Sequence, residues 1–136
     1  MPSPGYSGKS LIKKLGIQPQ HKVLVLHAPA DYAEWLEHDL SKQLVGKNDP
    51  PDVVHLFAKD MKTFLASIEK LQPVYQKNPK LVIWVSWYKK SSGKMKNIGE
   101  NDIRNWALQH GLVDVKVCAV SDEWSGLKLV VPVHKR

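Results

Sequence analysis

Residues 88–96 hold the densest group of side chains that could bind an anion. Their sequence, YKKSSGKMK, contains four lysines, two serines and a glycine. Ammonium and hydroxyl groups donate hydrogen bonds to phosphate or carboxylate oxygens, and the neighbouring aromatic rings of Trp87 and Tyr88 can stack on a nucleobase. The segment therefore predicts an anion site, or alternatively a solvated lysine loop. The predicted ligands are Lys89, Lys90, Ser91, Ser92 and Lys94.

Other candidates for chemistry lie at the ends of predicted strands. His27 and Asp31 follow the first strand and could serve an enzyme built on the same loop. Trp124 and Ser125 stand in a polar segment, so they are candidates for a ligand or interface role. The six histidines include no pair at three- or four-residue spacing and are joined by a single cysteine, Cys118. This pattern predicts no metal site.

The charge of the chain favours acidic partners. Twenty Lys and Arg against thirteen Asp and Glu give a formal net charge of +7, and all but two of the basic residues are lysines. A positive surface favours an anionic small molecule or nucleic acid, although lysines give little sequence specificity. One cysteine and no long apolar run predict a cytoplasmic protein without a membrane partner. A homodimer is a further possibility.

Alternating apolar runs and amphipathic segments predict the elements that position these residues. Helix patterns follow capping residues and end at Gly or Pro, and buried strands appear as short β-branched runs. One of the helices is expected to run through Tyr32, Trp35, Leu40 and Leu44, and Asn97 is expected to cap the last helix. The predicted strands are residues 22–27, 52–57, 81–87, 113–120 and 127–133.

The order of these elements predicts a single α/β domain over residues 1–136, with residues 1–8 irregular. Strands joined by helix-length crossovers lie parallel in one sheet, and the last two strands are joined by the short polar segment 121–126 as a hairpin. We therefore expect a Rossmann-like three-layer fold of about five mostly parallel strands, with an antiparallel C-terminal hairpin strand. The terminal hairpin is expected at one edge.

Four blocks of sequence resemble a small bacterial family known only as a domain of unknown function, the one numbered thirty fifty-two. They are GYSGKSLIKKLGI at 5–17, LVIWVSWYKK at 81–90, GLVDVKVCAV at 111–120 and WSGLKLV at 124–130. The similarity covers nearly the whole chain. Because that family has no assigned activity, the resemblance implies a fold and a bacterial origin and no reaction.

The last helix, strand and hairpin also resemble the end of the class I methyltransferase fold. Enzymes of that fold have a Gly-rich turn after strand one, where backbone approaches the cofactor. Here the turn is His27-Ala28-Pro29-Ala30-Asp31, without glycine. We therefore expect no S-adenosylmethionine or NAD binding and no cofactor.

Three functions remain open from the sequence. The first is a non-catalytic domain that binds a nucleotide, nucleic acid or phosphorylated metabolite at residues 89–96. The second is a small enzyme of methyltransferase descent whose cofactor site is altered or lost. The third is an interaction module that dimerises.

Overall fold

The structure is a computed structural model and describes residues 10–46 and 48–136. The expected irregular segment at residues 1–8 lies outside this part of the chain. The α-helices are α1 (Leu11–Leu15), α2 (Tyr32–Leu36), α3 (Met61–Lys77) and α4 (Glu100–Gln109). The strands are β1 (Val23–Leu26), β2 (Val53–Phe57), β3 (Val82–Tyr88), β4 (Val113–Ala119) and β5 (Trp124–Val130), and short 3-10 helices span Lys90–Ser92 and Val133–Lys135.

The strands form one five-stranded sheet in the order β1-β2-β3-β5-β4. Neighbours among β1, β2 and β3 pair in parallel, and β5 pairs antiparallel with both β3 and β4. The predicted α/β domain with five mostly parallel strands is therefore confirmed. The strand order, which the sequence left open, places β5 inside the sheet and β4 at its edge.

Two cores flank the sheet because successive side chains of a strand point to opposite faces. On one face, α3 and α4 cover an apolar core that includes Leu56, Ile83 and Val85. On the other face, α1 and α2 cover a second core that includes Phe57, Trp84 and Trp124. The sheet thus lies between two helical layers. No helix within the described residues is both long and apolar enough to cross a bilayer.

The single helix expected from Tyr32 to Leu44 is wrong. Helix α2 ends after Leu36, where Glu37 adopts a left-handed conformation with φ 52°. The chain then turns, since Ser41 donates its backbone N–H to the Asp39 carboxylate, and Leu44 bridges to Val23 of β1. Leu40 and Leu44 therefore lie in the segment that returns to the sheet edge and not in a helix.

Two predicted boundaries also change. Asn97 does not cap α4; its Oδ1 accepts the backbone N–H of Met61, while Gly99 is the N-cap and donates its N–H to Asp102. The hairpin turn is shorter than predicted, because β5 begins at Trp124. Trp124 and Ser125 therefore belong to a strand and not to a turn.

Candidate functional site

A cavity of about 370 Å³ opens at the carboxyl ends of the first three strands. In open α/β sheets this end is the usual position for a ligand, because loops after the strands diverge there. The cavity draws its walls from four separate segments of the chain, which no single motif would reveal. Its lining residues are His27, Pro29, Phe57, Lys59, Thr63, Tyr88 and Trp124.

The turn after β1 forms one wall of the cavity. His27 has φ 60°, a left-handed conformation that glycine would adopt at less cost, and its Nε2 lies 3.2 Å from Ser67 Oγ of α3. Pro29 follows and accepts the backbone N–H of Tyr32 through its carbonyl. His27 and Pro29 therefore line the cavity with side chains at a turn where a glycine would present bare backbone.

Three aromatic rings form the opposite wall. Tyr88 stacks on Trp124 with ring centroids 4.1 Å apart, and Phe57 meets Trp124 edge-on at 5.0 Å. Trp124 is only 5% exposed, although its position beside polar residues suggested an exposed ring. The wall exists because Tyr88 and Trp124 are paired residues of β3 and β5, on the same face of the sheet.

Lys59 supplies the positive charge of the cavity, and sequence reasoning missed it. It lies between β2 and α3, directly before Asp60, whose carboxylate accepts the backbone N–H of Thr63 at 2.8 Å. That hydrogen bond lowers the pKa of Asp60. Among the described residues that line the cavity, none is a carboxylate. The sequence feature that could have identified Lys59 is its position between a buried strand and a helix-capping aspartate.

The predicted lysine loop forms a rim beside the cavity. The Lys94 ammonium pairs with Glu123 at 2.9 Å and lies 5.8 Å from the centroid of the Tyr88 ring. The hydrogen bond with Glu123 raises the pKa of Lys94. Ser92 Oγ donates to the Lys89 carbonyl and accepts the backbone N–H of Lys94. Two of the predicted anion ligands thus already have partners within the protein.

The remaining predicted residues are dispersed. Lys90 and Ser91 are exposed in the 3-10 helix, and Asp31 is exposed at the start of α2 without a side-chain capping bond. Ser125 sits on the opposite face of β5 from Trp124. Trp87 does not line the cavity; its side chain is 6% exposed and packs in the core beneath α3 and α4.

A buried polar chain lies next to the aromatic wall. Tyr32 Oη is 2.8 Å from His55 Nδ1, and His55 Nε2 is 2.8 Å from Ser86 Oγ. Burial lowers the pKa of His55 to about 3 and raises the pKa of Tyr32. The imidazole is therefore neutral at ordinary pH, so it donates one of these hydrogen bonds and accepts the other.

Cys118 and Lys14 are two further groups whose pKa burial shifts. Desolvation raises the pKa of Cys118 and lowers that of Lys14, whose Nζ donates to the Ala119 carbonyl. A raised thiol pKa is the opposite of what a nucleophilic cysteine needs. Within the described part of the chain, no three His, Cys, Asp or Glu side chains are grouped as metal ligands would be.

No family model matches the sequence, and no curated protein matches it. Solved structures do match. An uncharacterised protein from Listeria monocytogenes serotype 4b aligns with TM-score 0.57 and 10% identity over 94% of this chain and 69% of its own. A protein of the NADB-Rossmann superfamily from Streptococcus agalactiae aligns with TM-score 0.51 and 12% identity over 93% and 69%.

A candidate tRNA (m1A22) methyltransferase from Streptococcus pneumoniae is similar to the chain as well. It aligns with TM-score 0.51 and 10% identity over 90% of this chain and 70% of its own. At this level of identity the likeness shows the fold alone. The fold is Rossmann-like, of the class I methyltransferase type, as the ending of the chain predicts.

Proposed function

We propose that the chain is a domain of methyltransferase descent whose cofactor cleft has changed into a site for a small phosphorylated ligand of the nucleotide class. The observation that supports this proposal is the composition of the cavity at the strand ends. It combines Lys59 and the Thr63 hydroxyl with an aromatic wall, and no described lining residue is a carboxylate. The proposal moves the expected anion site from the loop 89–96 into the cavity beside it.

The charge of the cavity favours a phosphate over S-adenosylmethionine. S-adenosylmethionine carries a sulfonium cation, which the ammonium of Lys59 would repel in a partly enclosed site. The sulfonium cation finds no carboxylate among the described residues that line this cavity. Phosphate oxygens, in contrast, accept hydrogen bonds from both Lys59 and Thr63.

The turn after β1 supports the same proposal. Cofactor binding in Rossmann-like folds requires close approach of backbone, which glycine permits. His27 and Pro29 occupy that turn and line the cavity with side chains. A ligand here would contact an imidazole and a pyrrolidine ring, so the cleft is altered and not merely closed.

The resemblance of four sequence blocks to the bacterial family of unknown function belongs to this proposal. Of these blocks, residues 124–130 contribute Trp124 to the cavity. We propose that the cavity is the shared functional feature of that family. Phosphoryl-ligand binding by a second member, measured as below, would support this, and its absence in that member would contradict it.

Calorimetric titration tests the proposal directly. AMP, ADP, ATP and pyrophosphate are titrated alongside S-adenosylmethionine, S-adenosylhomocysteine and NAD. We expect a nucleotide to bind and Lys59→Gln to weaken it roughly tenfold, the loss of about one charge-assisted hydrogen bond. Lys62→Gln is the matched control, because Lys62 is exposed nearby on α3 but does not line the cavity. Tighter binding of S-adenosylmethionine than of any nucleotide would overturn the proposal.

Nucleic acid is a second candidate, favoured by the lysines around the cavity mouth. Lys59, Lys90 and Lys96 are exposed in the segments that follow β2 and β3. Contact with a phosphate backbone through about three lysines would give a log-log salt slope of roughly −2 to −3. Fluorescence anisotropy with a single-stranded RNA at several salt concentrations measures that slope. No binding at low salt would remove this candidate.

A further inference from the structure

The buried chain Tyr32-His55-Ser86 joins three elements of the fold. It begins on α2, crosses β2 and ends on β3, with both contacts at 2.8 Å. Tyr32 is 6% exposed, and His55 and Ser86 are fully buried. Burying a polar group costs free energy unless the group is hydrogen-bonded. Three linked polar groups in an otherwise apolar core therefore suggest a functional purpose.

Nucleophilic catalysis is not that purpose. A hydroxyl, an imidazole and a second hydroxyl resemble the parts of a catalytic triad, but a nucleophile must reach its substrate. Neither Ser86 nor His55 lines the cavity at the strand ends. Both hydroxyls are also hydrogen-bonded to the same imidazole, and Ser86 is fully buried.

The chain does contact the cavity through Phe57. The His55 ring stacks on Phe57 with centroids 4.2 Å apart and planes at 25°, and Tyr32 packs against Phe57 edge-on at 5.2 Å. Phe57 in turn meets Trp124 edge-on, and Trp124 stacks on Tyr88. The path from the imidazole to the aromatic wall is therefore continuous.

At its other end, the hydrogen-bonded chain Tyr32-His55-Ser86 is linked to the cavity wall formed by the β1 turn. Tyr32 donates its backbone N–H to the carbonyl of Pro29, which lines the cavity on the side of the β1 turn. Hydrogen bonds to both ring nitrogens fix the plane of His55, and a fixed imidazole plane in turn limits the rotation of the stacked Phe57 ring. A single buried network thus connects both walls of the cavity.

We propose that His55 is a positioning residue, which sets the aromatic wall of the cavity through Phe57 and ties that wall to the β1 turn through Tyr32. The inference rests on the proposed function, because it assigns the wall a ligand to hold. Removal of either hydroxyl should leave the fold intact but loosen the angle of the stacked rings.

The test uses Tyr32→Phe and Ser86→Ala, each of which keeps the packing and deletes one hydrogen bond. We expect each variant to bind ADP roughly fivefold to tenfold more weakly. Ile68→Val is the matched control, since Ile68 lies in the core on the opposite face of the sheet and the change destabilises that core by a comparable amount. Its dissociation constant for ADP should equal that of the wild type.

A second readout does not require a ligand. Fluorotryptophan labelling gives one NMR signal for each of the five tryptophans, and Trp124→Phe identifies the signal of Trp124. Tyr32→Phe and Ser86→Ala should shift or broaden the Trp124 signal and leave that of Trp106, on the opposite face, unchanged. The control Ile68→Val should leave the Trp124 signal in place.

The outcomes separate the two proposals. If the wild type binds ADP and the two variants bind it equally well, the positioning role is overturned while the proposed function stands. If the wild type binds no nucleotide, the proposed function fails, and the Trp124 signal decides the positioning role. An unchanged Trp124 signal in both variants overturns the positioning role, whether or not the wild type binds a nucleotide.

Discussion

The two faces of the sheet differ in how they are covered and in what they bury. The face beneath α3 and α4 has long helices and an apolar core, whereas the face beneath α1 and α2 has two five-residue helices. Yet the second face buries the hydrogen-bonded Tyr32-His55-Ser86 chain, and the indole N–H of Trp84 there donates to the Leu15 carbonyl. The apolar face is held mainly by packing, with the Tyr75 hydroxyl donating to the His110 carbonyl, while the polar face carries the longer network of directed bonds.

This difference indicates where function has shaped the fold. Burial of apolar area is non-directional, so the apolar core stabilises the sheet without specifying ring orientations. Directed hydrogen bonds fix the planes of rings, and Phe57, Tyr88 and Trp124 of the polar face all line the cavity. We infer that the apolar face is scaffold and that the polar face orients the site.

Truncation of Trp84 should give the largest effect on the polar face. Trp84 is fully buried, and Trp84→Ala would empty the volume of an indole and leave the Leu15 carbonyl without its donor. We expect a loss of about 3 to 5 kcal/mol in the free energy of unfolding, measured by urea denaturation at constant m. Phe64→Ala, which truncates a fully buried aromatic residue on the apolar face, is the comparison. A loss below about 1 kcal/mol for Trp84→Ala would contradict the packing described.

Acid should destabilise the polar face through His55. The imidazole has a pKa of about 3 in the folded state against 6.5 when unfolded, so below pH 6.5 only the unfolded chain takes up the proton. The stabilisation that comes from burying neutral His55 is therefore fully present above pH 6.5. Below that pH the free energy of unfolding falls by about 1.4 kcal/mol per pH unit toward pH 3. Urea denaturation across this range should show the slope.

His55→Phe should remove that slope while lowering stability at neutral pH. His134→Gln, an exposed histidine, is the control and should retain it. Asp60 contributes in a different window: its lowered pKa means that its stabilisation is lost as pH falls below the ordinary carboxyl value of 3.8. A slope that persists in His55→Phe between pH 6.5 and this value would contradict the assignment.

Crowding at Gly126 tests how closely the polar face is packed. A Cβ at this position would lie 3.1 Å from Val120, 3.3 Å from Trp84 and 3.4 Å from Ser86 Oγ. Gly126→Ala should therefore cost about 1 to 3 kcal/mol. Gly46→Ala, where a Cβ would meet no atom within 4 Å, is the matched control. Equal thermal midpoints for the two variants would show that the side chains around Gly126 rearrange at little cost in stability.

The sequence predicted the scaffold better than the site, for a physical reason. Strands and α3 carry local signals, such as the β-branched runs and the Asp60 cap, so their positions followed from neighbours in the chain. The cavity depends on strand order, which brings Lys59, Tyr88 and Trp124 together from distant segments. The prediction of one helix reaching Leu44 was wrong because it used helical spacing alone, which does not reveal the tertiary bridge from Leu44 to Val23.

The smallest expected effect concerns the lysine loop. Replacing Lys89, Lys90 and Lys94 together by Gln should change stability by no more than about 0.5 kcal/mol per site. The Lys94 pair with Glu123 is 55% and 41% exposed, and exposed ion pairs contribute little. The hydrogen bond from the Lys89 backbone to the Glu123 carbonyl remains in the variant. Unfolding of the triple variant would mean that these lysines are structural.

Ligand binding by the same triple variant distinguishes the loop from the cavity. If the anion site is the loop, ADP affinity should fall more in this variant than in Lys59→Gln. If Lys59 carries the phosphate, as we propose, the order is reversed, because Lys94 is already neutralised by Glu123. Salt dependence separates the nucleic-acid candidate: of the three exposed lysines assigned to it, the triple variant removes Lys90, so the log-log slope for single-stranded RNA should become shallower by roughly 0.7 to 1. An unchanged slope, with ADP binding also unchanged, would leave the loop as a solvated rim and the cavity as the site.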